Sequence, residues 1–177
     1  MGVGKTSRRI LIVDGYNVIN AQQGAVSESL ADARDRLLSE LMDYAGYSGQ
    51  QVILVFDAWL SDRRQRTEEQ HGQVSVVYTQ KGETADHYIE RLCDAYAADI
   101  EFRRAEVRVA TSDGVEQTVV LGRGAIRLSA RELIYEMNQM RAQGKAGAAA
   151  ATGHRNPIVD RLPEDVRRRL EEMRRGG

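Results

Sequence analysis

Carboxylates recur at the ends of apolar runs in this chain. Asp14 directly follows Ile10–Val13, and Asp57 directly follows Val52–Phe56. Asp113 follows Val107–Ala110 after Thr111 and Ser112, and Glu83 and Asp86 come shortly after Val74–Tyr78. If these runs are parallel strands, their carboxyl ends share one edge of a sheet, and ligands bind in the crevice outside that edge. Two carboxylates about 4 Å apart, at an effective dielectric near 20, repel by roughly 4 kcal/mol. Either protons or divalent cations must neutralise such a cluster. An oxygen-only donor set, with no Cys or His in it, suits Mg²⁺ or Mn²⁺. Such ions polarise phosphoryl groups and activate water for in-line displacement, so the chemistry is metal-assisted cleavage of phosphate esters.

Each acid taken alone also has a structural use. Asp14-Gly15 suits a turn after a strand, and Ser112 or Asp113 suits a helix N-cap. Asp57 could cap the segment after Trp59, and Glu83 and Asp86 favour the N-terminal dipole of the helix they open. The coincidence at successive strand ends is what points to a site. Two rival motifs fail. Gly2-Val-Gly4-Lys5-Thr6 resembles the end of a phosphate-binding loop, but it precedes the first strand, whereas that loop must follow one and open a helix. An Asp-x-Asp pair after the first strand would suit a covalent phosphotransferase, but Gly15 and Tyr16 follow Asp14 and the second Asp is missing.

The elements that must position these acids are legible as patterns. The four apolar runs are β-branched and nearly continuous, which predicts strands buried on both faces, as in a parallel sheet. Residues 28–45 place Leu30, Leu37, Leu38, Leu41, Met42 and Ala45 on one helical face, and residues 84–98 do the same with Ala85, Ile89, Leu92, Cys93 and Tyr96. Ser129-Ala-Arg-Glu132 reads as a capping box opening a helix through about Gln143. Strands alternating with helices predict βαβ crossovers and a three-layer α/β domain with a central, mostly parallel sheet over residues 9–143. Residues 144–156 are small and low in complexity and read as a flexible linker. Residues 157–177 read as a basic helical tail, with Pro163 at the helix start and acids in its first turn.

The chain has 177 residues and a net charge of −1. Residues 141–177 hold nine Lys/Arg and five Asp/Glu, a net of +4, and residues 1–140 hold sixteen and twenty-one, a net of −5. An acidic body with basic patches can still bind nucleic acid when its acids are grouped to hold metal. No apolar run approaches the roughly 20 residues of a membrane span. The one cysteine, Cys93, excludes an intrachain disulfide and a cysteine zinc site, and it lies on an apolar helix face as a core residue. A reducing, cytoplasmic setting follows as the expectation. His71, His87 and His154 show no ligand spacing.

Ile10-Leu-Ile-Val-Asp14-Gly-Tyr-Asn17-Val-Ile resembles the opening of the NYN domains, a branch of the PIN-like nucleases. Val55-Phe-Asp57-Ala, Thr79-Gln-Lys-Gly-Glu83-Thr-Ala-Asp86, Val109-Ala-Thr-Ser112-Asp113 and Gly124-Ala-Ile-Arg-Leu-Ser129-Ala-Arg-Glu132 fall in the order and spacing of the YacP-like subgroup. The likeness covers about residues 9–140, and the basic C-terminal helix also looks typical of the subgroup. It implies a PIN-like fold and a Mg²⁺- or Mn²⁺-dependent endoribonuclease, in which water attacks the phosphodiester to leave a 5′-phosphate and a 3′-hydroxyl. By position, it implies that Asp14, Asp86 and Asp113 form the metal-binding core, with Asp57 and Glu83 as supporting acids. Asn17 would orient Asp14 or contact the scissile phosphate, and Ser112 would support Asp113. The subgroup is also linked to ribosomes and to mRNA cleavage and decay during translation.

Basic and aromatic residues complete a path for RNA. Arg63, Arg64 and Arg66 fall in the polar stretch Ser61–Gln73, which reads as a mobile loop near the site. Lys81 precedes Glu83, and Arg123, Arg127 and Arg131 lie near the last motif. Arginine suits phosphate because its fork binds two oxygens. Tyr16 and Trp59 flank acids and could stack on a base, although Trp59 equally suits core packing. One alternative is a non-catalytic RNA- or ribosome-binding module that keeps the acids as caps. Another is a nuclease for structured DNA, which ranks last because the chain lacks an arch or helix-hairpin-helix for gripping a duplex. A monomer is expected.

Overall fold

The structure, a computed structural model, describes residues 8–22, 28–58, 64–100, 104–112 and 124–153, with backbone alone over 148–153. It divides into two compact units, Met1–Met140 and Arg141–Gly177. Trp59, Arg63, Asp113, Arg123, His154 and the expected tail helix lie outside the described residues.

The four expected strands are present: β1 (Arg9–Asp14), β2 (Gln51–Phe56), β4 (Val74–Tyr78) and β5 (Glu106–Ala110). Two more join them, β3 (Thr67–His71) and β6 (Ile126–Leu128). The six-stranded sheet runs in the order β3-β4-β2-β1-β5-β6. Every pairing is parallel except β3 with β4. From β1 the chain steps outward to β2 and β4, then returns to the other flank of β1 for β5. The connections therefore reverse direction between β1 and β5, the position at which an open α/β sheet leaves a crevice beyond its strand ends.

Strand β1 is central, and its alternation explains the three layers. Leu11 and Val13 face one core, shared with α1 (Gly15–Ala21), α2 (Leu30–Ser48) and the first turns of α4 (Ala130–Gly153). Ile10 and Ile12 face the second core, beneath α3 (Ala85–Ala98). Both sheet faces are covered, so the near-continuous apolar runs are what parallel burial demands. Cys93 is buried in the second core as expected. On α2 the buried face is Ala33, Leu37, Leu41, Tyr44 and Ala45, whereas Leu30 and Met42, expected on it, are exposed. The buried stripe keeps Leu37, Leu41 and Ala45 and takes Ala33 and Tyr44 in place of Leu30 and Met42.

Three further expectations meet the structure. The stretch Ser61–Gln73 is not all loop, since residues 67–71 form β3 against β4. The capping box forms as expected: the Glu132 backbone N–H donates to Ser129 Oγ at 3.2 Å and the Ser129 backbone N–H to Glu132 Oε2 at 2.7 Å. The helix does not end near Gln143, however. It runs to Gly153, through most of the expected linker. Alanine is the best helix former, and Ala148–Ala151 add no propensity cost beyond the roughly 1 kcal/mol that each of Gly144 and Gly147 costs relative to it.

A polar tie fixes α2 and α4 over the first core. Arg108 on β5 donates to both oxygens of Glu136, at 2.6 and 3.2 Å. Tyr44 Oη donates to Glu136 Oε2 at 2.8 Å and accepts from Gln50 Nε2 at 3.2 Å. Burial pushes the Glu136 carboxyl up, but the bonds from Arg108 and Tyr44 outweigh it and hold the group below its ordinary range.

Gly15 opens α1 against the last residue of β2. A Cβ there would lie 2.4 Å from Phe56 Cε1 and 2.6 Å from Cδ1. The Phe56 ring cannot easily yield, because it is buried between Tyr16, 5.2 Å away, and Tyr78, stacked at 5.6 Å. Gly15→Ala is expected to cost about 1–3 kcal/mol through overpacking. A chemical denaturation midpoint indistinguishable from wild type would contradict that packing.

Candidate functional site

Asp14 ends β1 and caps α1, so one residue both closes the strand and opens the helix. Its Oδ1 accepts from the Asn17 backbone N–H at 3.3 Å, and its Oδ2 accepts from Asn17 Nδ2 at 2.8 Å. Asn17 Nδ2 also donates to Thr111 Oγ1 at 3.3 Å. Thr111 is fully buried and directly follows β5, where Ala110 pairs in register with Val13. The Asp14–Asn17–Thr111 chain therefore bridges the ends of β1 and β5, across the point where the connections reverse. Thr111 does not stand out in the sequence, because a single Thr after a strand has no distinguishing spacing.

Asp14 is only 6% exposed. Burial pushes its carboxyl from 3.8 up to about 6; the charges of Asp86 and Asp57 add to this, and the Asn17 hydrogen bonds oppose it. Three expected acids, Asp14, Asp57 and Asp86, therefore share one electrostatic environment. Asp86 sits in the first turn of α3, which Thr84 caps by accepting from the His87 backbone N–H at 3.2 Å. Asp57 follows β2, and its neighbour Ala58 donates its backbone N–H to the buried Thr79 Oγ1 at 2.9 Å. The Thr79 N–H donates back to the Phe56 carbonyl at 3.1 Å, so Thr79 clasps the ends of β2 and β4.

Glu83 is placed differently. It is buried, and Arg66 donates to both its oxygens, at 2.6 and 3.2 Å. Arg91 also pairs with it. Arg66 is expected, with Arg63 and Arg64, on the RNA path, but its guanidinium is committed to this pair and lies 4.5 Å over the Tyr88 ring. Arg64, Lys81, Ser112, Arg127 and Arg131 are exposed. Tyr16 is half-buried against Phe56, and Arg34 Nη1 donates to its hydroxyl at 3.4 Å.

The donors around Asp14 are carboxylate oxygens, with an amide and a hydroxyl behind them. That chemistry fits a hard divalent cation, which would relieve the cost of ionising Asp14. Among the described residues no three His, Cys, Asp or Glu side chains converge as a complete metal site. Asp113, the remaining expected ligand, lies outside the described residues.

Thr111→Val keeps the shape of the buried Thr111 and removes the acceptor for Asn17. Losing a partner that orients a ligand typically costs about 10–100-fold in metal affinity or activity. We expect a fall of roughly tenfold in Mn²⁺ affinity, at the low end of that range, because Asn17 keeps its bonds to Asp14. Titration of the Mn²⁺ paramagnetic resonance signal checks this, and unchanged affinity would show that Thr111 only packs.

Comparison with known proteins agrees with this architecture. Over 170 residues the chain is 36% identical to the YacP protein of Bacillus subtilis (strain 168), covering 94% of this chain and 97% of that one. The crystal structure of Rae1 (YacP) from Bacillus subtilis superposes with a TM-score of 0.67 at 36% identity, covering 94% of this chain and 95% of that chain. A mutant form of the same protein superposes with a TM-score of 0.69 at 32% identity, covering 93% and 99%. The fold is thus the α/β PIN-like one, with its mixed, mostly parallel sheet. The family model for the YacP-like NYN domain matches residues 11–175, from within β1 almost to the C-terminus, and the chain belongs to that family.

Proposed function

We propose that this chain is a divalent-metal-dependent endoribonuclease that hydrolyses RNA phosphodiester bonds, with mRNA on the ribosome as its substrate. Membership of a family of nuclease-like, RNA-related domains supports the general class. The observation that carries the reading is Asp14. Its buried carboxylate lies at the crevice between β1 and β5, is held at both oxygens by Asn17, and is made costly to ionise by burial and by Asp86 and Asp57. Folds rarely keep such a group without a use for it.

Asp14, Asp86 and Asp57 would hold Mg²⁺ or Mn²⁺, with Asp113 completing the set. When bound, the ion supplies positive charge to a scissile phosphate and to the attacking water. Asn17 keeps Asp14 in one orientation, and Thr111 keeps Asn17 in place. Arg63, Arg64, Lys81, Arg123 and Arg127 neutralise backbone phosphates, and Tyr16 offers a ring to a base. The protein works in the cytoplasm as a monomer. No helix among the described residues is long and apolar enough to cross a membrane.

A second reading is a non-catalytic RNA- or ribosome-binding module. It is favoured by the cap that Asp14 already provides to α1. Incubating the full chain with single-stranded RNA, alone and on ribosomes, separates the two readings. Cleavage that needs Mg²⁺ or Mn²⁺ and fails in Asp14→Asn and Asp86→Asn is expected. RNA binding that persists in chelator, with no cleavage on either substrate, would favour the module.

A further inference from the structure

Two arginines balance the charge of Glu83. Both its oxygens receive Arg66, and Arg91 approaches Oε1. Oε2 also accepts weakly from the Gln80 backbone N–H at 3.4 Å. One carboxylate with two guanidiniums leaves a net positive unit, which repels a divalent cation. The same side chain is well placed to fix its neighbours. The Glu83 N–H closes a turn onto the Gln80 carbonyl at 3.0 Å, with Gly82 at a φ of +79°. Thr84 then caps α3, and Asp86 follows in the first helical turn. Arg66 immediately precedes β3, whose first residue Thr67 pairs with Tyr78 at the end of β4. The segment 79–83 is therefore gripped twice, by Thr79 on Ala58 beside Asp57, and by Glu83 on Arg66.

We propose that Glu83 is a positioning residue, locked by Arg66 and Arg91 into a latch that ties the start of β3 to the first turn of α3 and so sets Asp86 opposite Asp14. This rests on the metal-binding reading above. Bidentate Arg–carboxylate pairs suit such a role because their geometry is specific as well as strong. Arg66 is further held by the face of Tyr88, which lowers its freedom to leave.

The test uses full-length Glu83→Gln, Arg66→Ala, the double variant and Arg91→Ala, each read by free-Mn²⁺ paramagnetic resonance and by denaturant unfolding. Glu83→Gln and Arg66→Ala are expected to weaken Mn²⁺ binding by similar factors, about 10–100-fold. The double variant should bind no more weakly than the worse single one, since both remove the same tie. Arg66→Lys should recover part of the affinity. Arg91 is exposed, so Arg91→Ala is expected to keep the protein folded and to weaken binding severalfold even if the Glu83 and Arg66 variants unfold. Two results overturn the latch. If Glu83→Gln loses Mn²⁺ while Arg66→Ala and Arg91→Ala bind as wild type does, Glu83 is a ligand. If the folded variants lose stability but keep wild-type Mn²⁺ affinity, the tie is structural only. Folded wild type that binds no Mn²⁺ is a separate failure: it overturns the metal reading itself, and the latch falls with it.

Discussion

In Asp14→Asn, RNA cleavage is expected to fall by at least about a hundredfold, because even partners behind a metal ligand are worth 10–100-fold. The same change should make the metal-free protein more stable at neutral pH. The Asp14 carboxyl is raised from 3.8 to about 6, chiefly by burial. A raised carboxyl contributes its stability below its unfolded value and loses it as pH climbs through the folded one. At pH 7 and above, the ionised Asp14 therefore costs the fold about 3 kcal/mol relative to a neutral side chain of the same shape. Asparagine is such a side chain. Its amide oxygen can still cap α1, and Asn and Asp are comparable N-caps. Thermal unfolding without divalent ions should show the variant several degrees more stable at pH 7.5. The gain should shrink through pH 6 and vanish below about pH 4, where wild-type Asp14 is protonated in both states. A variant that loses activity because it is less stable across this range would remove Asp14 from the metal-binding role.

This opposition of activity and stability explains why the site was partly legible in the sequence. Asp14 interrupts an apolar run where Ser or Asn would cap α1 equally well, so an acid there points to chemistry. The parallel strands were legible for a related reason. Burial on both faces of β1, β2, β4 and β5 demands nearly unbroken apolar runs, and few other structures do. Strand β3, Thr-Glu-Glu-Gln-His, carried no such pattern because it is an exposed antiparallel edge, where polar residues are favoured. Strand β6 is three residues long, too short for any periodicity. Helix α1 was hidden inside the Asp14–Asn17 motif, since its seven residues start directly at the strand end.

The Arg66–Glu83 pair was illegible for a deeper reason. The two residues are seventeen positions apart, and only the β3–β4 hairpin brings them together. In the sequence Arg66 looks like Arg63 and Arg64, and Glu83 looks like Asp86. Which acid pairs with arginine depends on a strand that leaves no apolar pattern. Thr79 and Thr111 share that difficulty: each is a buried hydroxyl that makes a long-range hydrogen bond.

Asp86→Asn separates a metal site from a set of caps most sharply. In the metal-free protein, Asp86 adds repulsion to Asp14 but favours the α3 dipole, so neutralising Asp86 should change stability by no more than about 1 kcal/mol in either direction. With divalent ion the two proteins should separate. An ion at a hundred times its dissociation constant stabilises a folded protein by about 2.7 kcal/mol. Wild type should show that gain with saturating Mn²⁺, and Asp86→Asn should lose most of it together with cleavage. If Asp86 served only the α3 dipole, its replacement would cost a few tenths of a kcal/mol to about 1 kcal/mol with or without the ion. The two roles thus predict different responses to Mn²⁺. A melting series on two proteins, with and without chelator, distinguishes them before any RNA substrate is chosen. A metal-free loss of stability in Asp86→Asn, with the Mn²⁺ gain intact, would leave the acids as caps and favour the binding-module reading.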